Sequence, residues 1–234
     1  MFRNCQRISV VSTGVGLRQF TLLAVTAATA CSAPVHTPPP SPSSPTAAQA
    51  KQVNPANIRR MRGSFPPGYE ISEIEGVASP ATYWGLKPGW SAEPAECAVL
   101  ADPVAGSPQG LSGSGSGGIV YVAVARAPSA SGPDPGVVAA CRHWSMESGR
   151  TTVTVDLLDP PAIEDAATIS MATASRTIVE GGTATDLHAT TATAYLGEHV
   201  AFVTVVTDPG SGPSELPPDF ASTFLTQTVA ALRG

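Results

Sequence analysis

The 234-residue sequence has few charged and few aromatic residues, and it contains no long apolar run. Charged residues make up 13% of the chain and aromatic residues 6%, while hydrophobic residues make up 42%. No apolar stretch reaches the roughly 18 residues that a membrane-spanning helix requires. The mature protein is therefore not expected to cross a bilayer by itself.

Positive charge is scarce beyond the N-terminus. Arg3, Arg7 and Arg18 lie in the first 30 residues, which contain no acid, so the remaining residues carry 10 basic and 18 acidic groups and a net charge of −8. Affinity for a phosphate backbone comes largely from Lys and Arg side chains that displace counterions. The composition therefore argues against nucleic acid as a partner.

The N-terminus has the layout of an export signal. Arginines precede a short apolar stretch, FTLLAVTAATAC, and the residues from Ala28 to Ala30 fit the pattern of signal cleavage. The segment AATACS resembles a bacterial lipobox, in which the cysteine after the cut receives diacylglycerol, although Ala28 stands where leucine is usual. Residues 1–30 are therefore predicted to be a lipoprotein signal peptide that ends before Cys31. Cleavage without acylation is the alternative.

The number of cysteines favours acylation of Cys31. Cys5 leaves with the leader, and a free Cys31 thiol would give the exported protein an odd number of cysteines, which is uncommon in an oxidising compartment. An acylated Cys31 leaves Cys97 and Cys141 as a natural pair, and we expect a disulfide between them; two free buried thiols are the alternative. Fatty acyl chains such as palmitate, at about 0.8 kcal/mol per buried methylene, would hold the protein on the extracytoplasmic face of the cell membrane.

Residues 31–52 are predicted to form the acylated cysteine and a tether. The part from 34 to 50 has six prolines, no charge and almost no large apolar side chain. Such a segment cannot bury enough surface to offset the entropy of ordering it. In polyproline II geometry, at about 3.1 Å per residue, it would hold the domain roughly 50 Å from the membrane. A proline-rich recognition ligand is the alternative.

Residues 53–234 are predicted to form one extracytoplasmic domain of the α+β class. Consecutive strand-like segments joined by tight turns predict an antiparallel sheet of about five to seven strands, with helices packed on one face and one disulfide. Asn54 before Pro55 indicates the start of a helix, PAECAVLAD preceded by Ser91 and Glu93 indicates another, and the C-terminal segment has the spacing of an amphipathic helix. The segment GSPQGLSGSGSGG is predicted to be a flexible loop.

No motif for catalysis or for metal binding stands out. Residues 113–118, GSGSGG, match a dinucleotide fingerprint in letters, but they precede a strand instead of following one. A catalytic triad assembled from distant residues, using His143, His188 or His199, stays open as an alternative. His188 and His199 lie at the ends of a predicted hairpin and could approach each other, but no third ligand is evident. We therefore expect no enzymatic activity, no cofactor and no metal.

Aromatic side chains concentrate in the Gly/Pro-rich segment SPATYWGLKPGW, which contains Tyr83, Trp84 and Trp90. Aromatic residues in such a segment can line a pocket for a sugar or a lipid, so these three are the candidate ligand-binding residues. Packing in the core is the alternative.

One local basic run follows the tether, and it consists of Arg59, Arg60 and Arg62. Cations near an anionic membrane surface contribute about 1 kcal/mol each, so this run could touch lipid headgroups. A solvated helix face is the alternative.

Several segments resemble a mycobacterial lipoprotein family built on a domain of unknown function: NPANIRRMRGSFPPGYE, WGLKPGW, LSGSGSGGIVYV, MATASRTIVEGG, YLGEHVAFVTVVTDPG and the terminal TVAALRG. The resemblance covers residues 53–234. That family is more distantly similar to the extracellular sensor domain of the H-type mycobacterial receptor Ser/Thr kinase. The kinase sensor implies an α+β fold with a ligand cleft and two disulfides, whereas this chain can form only one, through Cys97 and Cys141. The resemblance implies no catalytic residue.

Together these observations predict a lipid-anchored cell-envelope protein with a non-enzymatic binding or sensor-like domain. Its expected partners are the membrane, through the anchor, and a small or glycolipid-like ligand or another protein. A structural or interaction lipoprotein without a small-molecule pocket is the alternative, and an envelope hydrolase is a further one.

Overall fold

One continuous antiparallel sheet dominates the computed structural model, which describes residues 52–76, 79–207 and 216–234. The predicted signal peptide, Cys31 and nearly all of the tether lie outside the described residues. Strands β1 to β9 span, in chain order, Glu70–Glu73, Ser91–Glu93, Ala105–Gly115, Gly118–Arg126, His143–Ser148, Thr151–Leu158, Ala167–Ile178, Ala184–Leu196 and His199–Thr207.

The helices of the described residues are few and mostly short. Helices α1 to α4 span Pro80–Tyr83, Ala98–Ala101, Pro135–Ala140 and Phe220–Arg233, and two 3₁₀ helices span Pro55–Ser64 and Ala95–Cys97. Within the described ranges, no helix is both long enough and apolar enough to cross a membrane. The structure thus confirms a mainly antiparallel sheet with some helices.

The prediction of five to seven strands is wrong, because the described residues form nine. The strands lie in the order β1-β3-β4-β9-β8-β7-β6-β5-β2, so β1 and β2 are the two edges of the sheet. The two strands that the sequence does not predict are β2, whose residues resemble a helix start, and β3, whose residues resemble a flexible loop.

Strand β3 is glycine-rich because aromatic rings occupy the space where its side chains would lie. A Cβ atom on Gly113 would lie 2.5 Å from Cδ1 of Phe65, and one on Gly115 would overlap the ring of Tyr69. Glycine in a strand commonly marks such a close approach of another group. The alternation of serine and glycine in this segment therefore belongs to a strand packed beneath two rings.

The two faces of the sheet have separate cores, because successive side chains of a strand point to opposite faces. Val120 and Val122 of β4 join the first core with α4 and the N-terminal 3₁₀ helix, and we call this side the helix face. Ala125 of β4 and Val200 of β9 join the second core, with the short helices α1 and α2. The prediction that helices pack on one face is therefore wrong.

Local sequence signals for the helix ends are confirmed. The Asn54 side chain caps the first 3₁₀ helix by accepting a hydrogen bond from the Ala56 N–H at 3.1 Å. The backbone N–H of Asn54 also donates to the Leu232 carbonyl near the end of α4, which joins the first and last helices. The C-terminal amphipathic helix is confirmed as α4, with Phe224 and Leu225 among its buried residues.

Candidate functional site

The chain between β1 and β2 has to cross the sheet, since these strands lie at opposite edges. Residues 79–90, which we call the strap, pack onto the second core and define the strap face of the sheet. The strap contains all three aromatic residues that the sequence indicates as ligand-binding candidates. Their surroundings therefore decide whether this segment lines a pocket or fills the core.

Trp84 fastens the strap to the middle of the sheet. Its side chain is fully buried, and its Nε1–H donates to Thr191 Oγ1 of β8 at 3.0 Å. Thr191 Oγ1 in turn lies 2.9 Å from Thr204 Oγ1 of β9, and Ser175 Oγ of β7 donates to the Trp84 carbonyl oxygen at 2.6 Å. A buried indole N–H needs a partner in this way. Trp84 thus serves as core packing on three neighbouring strands.

Tyr83 and Trp90 pack against other parts of the strap face. The Tyr83 ring stacks on Tyr121 of β4, with 3.7 Å between ring centroids, and also lies near Phe202. Burial, and secondarily the neighbouring Tyr121, raises the pKa of Tyr83. Trp90 is half-buried at the margin of the second core. The structure does not bring the three predicted aromatic residues together around a shared cavity.

An apolar groove lies between α2 and the segment that leads into α3. Its volume is about 330 Å³. One wall comes from α2 and the residues after it, the other from residues 128–137, and Tyr195 of β8 forms part of the floor. The lining residues are Val99, Asp102, Pro103, Pro128, Ser129, Gly132, Pro133, Asp134, Val137 and Tyr195.

The disulfide joins the two walls of this groove. Cys97 immediately precedes α2, Cys141 immediately follows α3, and the two are bonded at an S–S distance of 2.03 Å, so the predicted pairing is confirmed. Both cysteines are fully buried. Because the bridge spans 44 residues, it fixes two distant short helices beside each other, which such short helices could not achieve by their own stability.

Gly132 packs beside Tyr195 at the floor of the groove. Gly132 has φ +74°, and a Cβ atom there would lie 3.4 Å from Cγ of Tyr195 and 3.4 Å from the Cβ of Ala167. A residue with a side chain at this φ would be strained. Tyr195 itself is buried, and this burial raises its pKa.

Asp102 places a carboxyl group at the rim of the groove. Partial burial raises its pKa, although hydrogen bonds from the Ser79 hydroxyl and the Val104 backbone N–H act in the opposite direction. Ser79 begins the strap, so this contact also links the strap to the wall of the groove. The Asp102 side chain is otherwise exposed, so its carboxyl group is open to a ligand from the solvent side.

Asp134 supplies a second carboxyl group to the groove. Its Oδ1 accepts a hydrogen bond from the Gly136 N–H at 2.6 Å and so caps α3. The residues that line the groove include no Lys, Arg or His. The groove therefore combines apolar walls with acidic groups and no fixed positive charge.

The candidate histidines do not assemble a catalytic or metal site. His143 Nδ1 donates to Asp156 Oδ1 at 2.7 Å, but both side chains are mostly exposed on neighbouring strands, and within the described residues no hydroxyl is hydrogen-bonded to His143. His188 lies opposite Thr207 and His199 lies opposite Leu196, so the register places these two histidines at opposite ends of the hairpin. Across the described ranges, no group of three potential ligands could hold a metal ion.

The basic run on the first 3₁₀ helix is exposed, as a solvated face would be. Arg59 makes a long ion pair of 3.9 Å with Glu73, and Arg62 donates to the Ile71 carbonyl oxygen at 3.2 Å. The buried side of the same helix is formed by Ile58 and Met61. The arginines therefore lie on the opposite side of the molecule's sheet from the groove.

Sequence reasoning missed the groove because its residues come from three distant segments. The available signals were the proline-rich segment APSASGPDP, which predicts a rigid turn region, and the cysteine pair, which predicts that residues near 97 and 141 are neighbours. Neither signal indicates that Tyr195 of β8 lies beneath the proline-rich segment and α2.

Comparison with known proteins gives the family of the domain and its fold. A solved X-ray structure of an uncharacterized protein from Mycobacterium smegmatis, the ortholog of Rv0999, matches with a TM-score of 0.56 and 22% sequence identity, covering 78% of this chain and 98% of that one. At this identity the likeness shows the fold alone. No curated protein matches the chain. The sequence profile described as domain of unknown function DUF5642 matches residues 54–233, and the chain therefore belongs to the DUF5642 family.

Proposed function

We propose that this chain is a lipid-anchored cell-envelope protein whose domain binds a small apolar ligand without transforming it. The observation that carries the proposal is the groove between α2 and α3, with its apolar walls and its disulfide. Small-molecule sites are typically concave, mostly apolar and about 300–1,000 Å³ in volume, with a few polar groups that orient the ligand. The groove has each of these properties.

The groove replaces the aromatic cluster as the proposed ligand site. The Trp84 side chain has no exposed surface, so it cannot contact a ligand while the strap is in place. Val99, in contrast, is 52% exposed although it is a large apolar residue. Because Val99 also lines the groove, its side chain is available to a ligand there.

The proposed location rests on the N-terminal sequence and agrees with the disulfide. Disulfides persist in oxidising compartments outside the cytoplasm. The bonded pair leaves Cys31 as the one cysteine of the predicted mature chain that is not used by the domain. The number of cysteines therefore supports acylation of Cys31 on the extracytoplasmic face of the cell membrane, with residues 31–52 as the tether.

Replacement of the anchor cysteine tests the location. We expect Cys31→Ala to release the mature protein into the medium, and Cys5→Ala to leave it in the membrane fraction, because Cys5 is removed with the predicted leader. Fractionation followed by intact-mass measurement of the N-terminus would check both variants. Retention of the Cys31→Ala protein in the membrane would contradict the anchor.

Native mass spectrometry of protein purified from its own envelope tests the binding function. We expect a co-purified small molecule that is lost in Val99→Trp, because an indole at this position fills the groove. Ile178→Trp is the matched control, since Ile178 is a similarly exposed apolar residue, 39% exposed, that does not line the groove. If no small molecule accompanies the unmodified protein and added apolar compounds do not bind in the groove, the chain is a structural or interaction lipoprotein instead.

A further inference from the structure

The walls of the groove offer carboxylate acceptors, and the side-chain donors among the lining residues are the hydroxyls of Ser129 and Tyr195. Three of the lining residues are prolines, Pro103, Pro128 and Pro133, and proline has no backbone N–H. The carboxylates of Asp102 and Asp134 contribute only acceptor oxygens when they are ionised. A ligand that brings acceptors of its own therefore finds few partners here.

Neither carboxylate is fully used by the protein. Asp102 accepts from the Ser79 hydroxyl and the Val104 N–H, and Asp134 accepts from the Gly136 N–H. A carboxylate has about four lone-pair positions, so each group retains capacity for a donor from a ligand. The side chain of Ser129 is less available, because its hydroxyl already pairs with the hydroxyl of Ser131 at 3.0 Å.

The charges of the groove also disfavour an anionic ligand. No Lys, Arg or His lines the groove, and the chain after residue 30 carries a net charge of −8. An anionic ligand would be placed beside two carboxylates without a cation to neutralise it, which is unfavourable in a partly dehydrated site. A cationic ligand would instead form charge-assisted hydrogen bonds, which are about twice as strong as neutral ones.

From this arrangement we infer the class of ligand, resting on the proposed function of the groove: it selects an apolar amine, with the ammonium group at Asp102 and the apolar body against Val99, Val137 and Tyr195. Asp102 is the better anchor of the two acids, since it lies at the rim beside α2 while Asp134 is engaged in capping α3. The partial burial that raises the pKa of Asp102 agrees with this role, because a cation would relieve the cost of keeping that carboxylate charged. The groove thereby discriminates against fatty acids and phosphate-bearing lipids.

Three probes of equal chain length test this inference: hexylamine, 1-hexanol and hexanoate at pH 7. The protein is the mature chain with Cys31→Ala, which removes the proposed anchor and alters none of the described residues. We expect hexylamine to bind at least about tenfold more tightly than hexanol, which corresponds to about 1.4 kcal/mol, and hexanoate to bind more weakly than hexanol. Ligand-observed NMR titration measures the three affinities, and Val99→Trp shows which part of the signal comes from the groove.

Asp102→Asn sharpens the test, because asparagine keeps an acceptor oxygen for Ser79 and Val104 but removes the charge. We expect this variant to lose about tenfold in hexylamine affinity, the effect of one charge-assisted hydrogen bond, while its hexanol affinity changes by less than about twofold. Asp134→Asn, which keeps the cap of α3, is expected to have a smaller effect on hexylamine.

The outcomes separate this inference from the proposed function. Equal binding of all three probes in the groove, or tightest binding of hexanoate, would overturn the amine preference and leave the groove as a binding site. An unchanged ratio of hexylamine to hexanol affinity in Asp102→Asn would overturn the role of Asp102. If no probe gives a signal that Val99→Trp removes, the groove is not a ligand site and the proposed function fails with the inference.

Discussion

The two faces of the sheet are stabilised in different ways. On the helix face, α4 and the first 3₁₀ helix cover β3, β4, β8 and β9 with an apolar core, including the edge-to-face contact of Phe65 and Phe224 at 5.2 Å between centroids. On the strap face, short helices and the strap are held by a disulfide and by hydrogen bonds from buried side chains such as Trp84.

This difference follows from the lengths of the covering segments. A helix of 14 residues, such as α4, presents a continuous apolar stripe that packs without further help. Helices of four to six residues, such as α2 and α3, cannot form alone and have to be fixed by specific bonds. Irregular segments also fit each other less closely, and the proposed groove lies where two of them meet. The proposed groove thus lies on the face whose covering segments are held by the disulfide and by buried hydrogen bonds.

Among the changes that test the difference between the two faces, removal of the Trp84 side chain is expected to lower the free energy of unfolding most. Trp→Ala changes in a core cost about 3–5 kcal/mol, and Trp84→Ala should lie at the upper end because the indole also bonds Thr191 on β8. Urea denaturation of the variant would measure the loss. Trp90→Ala is the control, since Trp90 is only half-buried, and we expect it to cost clearly less. Equal losses in the two variants would show that Trp84 does not fasten the strap.

Removing the disulfide should have the next largest effect. Loss of a bridge of this length costs about 2–4 kcal/mol, largely because the unfolded chain gains freedom. We expect the double variant Cys97→Ala, Cys141→Ala to lose hydrogen-exchange protection more strongly in α2 and α3 than in α4. Equal loss of protection on both faces would indicate that the bridge stabilises the whole fold and does not specifically hold the groove.

A smaller effect is expected on the helix face from Gly113→Ala. The added methyl group would meet the Phe65 ring, and overpacking of this kind costs about 1–3 kcal/mol. Gly63→Ala is the matched control, because a Cβ there meets nothing within 4 Å, and the loss of backbone freedom in the unfolded chain should raise stability by about 0.4–1 kcal/mol. Chemical denaturation would compare them. A neutral Gly113→Ala would mean that the ring does not fill that position.

The smallest expected effect on stability is that of Asp102→Asn. Because burial raises the pKa of Asp102 in the folded protein, the charged form is disfavoured by folding, and stability should fall slightly as pH rises through that pKa. The asparagine variant removes this contribution, so its melting temperature at pH 7 should be equal to or slightly above that of the parent. A clear decrease at pH 7 would show that the charge stabilises the fold.

Local patterns predicted the parts of the fold that depend on neighbours in sequence. Strand-like segments joined by tight turns indicated β1 and β4 to β9, and Asn54 marked a helix start. The parity of the cysteines indicated the disulfide.

The features that the sequence did not predict depend on contacts between residues that are far apart in the sequence. The sequence of β3 reads as a loop because nothing near Gly113 shows that Phe65 covers it. The sequence alone leaves Trp84 open as a pocket residue or as part of the core, since its partner Thr191 lies 107 residues away. The groove was missed for the same reason, because Tyr195 meets the walls only in the folded chain.

The short edges of the sheet bear on how copies of this protein behave side by side. β1 has four residues and β2 has three, and the part of β3 that extends beyond β1 contains Pro108 and a register shift between Ala105 and Gln109. Short strands, proline and bulges all hinder the addition of a foreign strand. Molecules crowded onto one membrane, as the proposed anchor would place them, could therefore collide often without stacking into fibres.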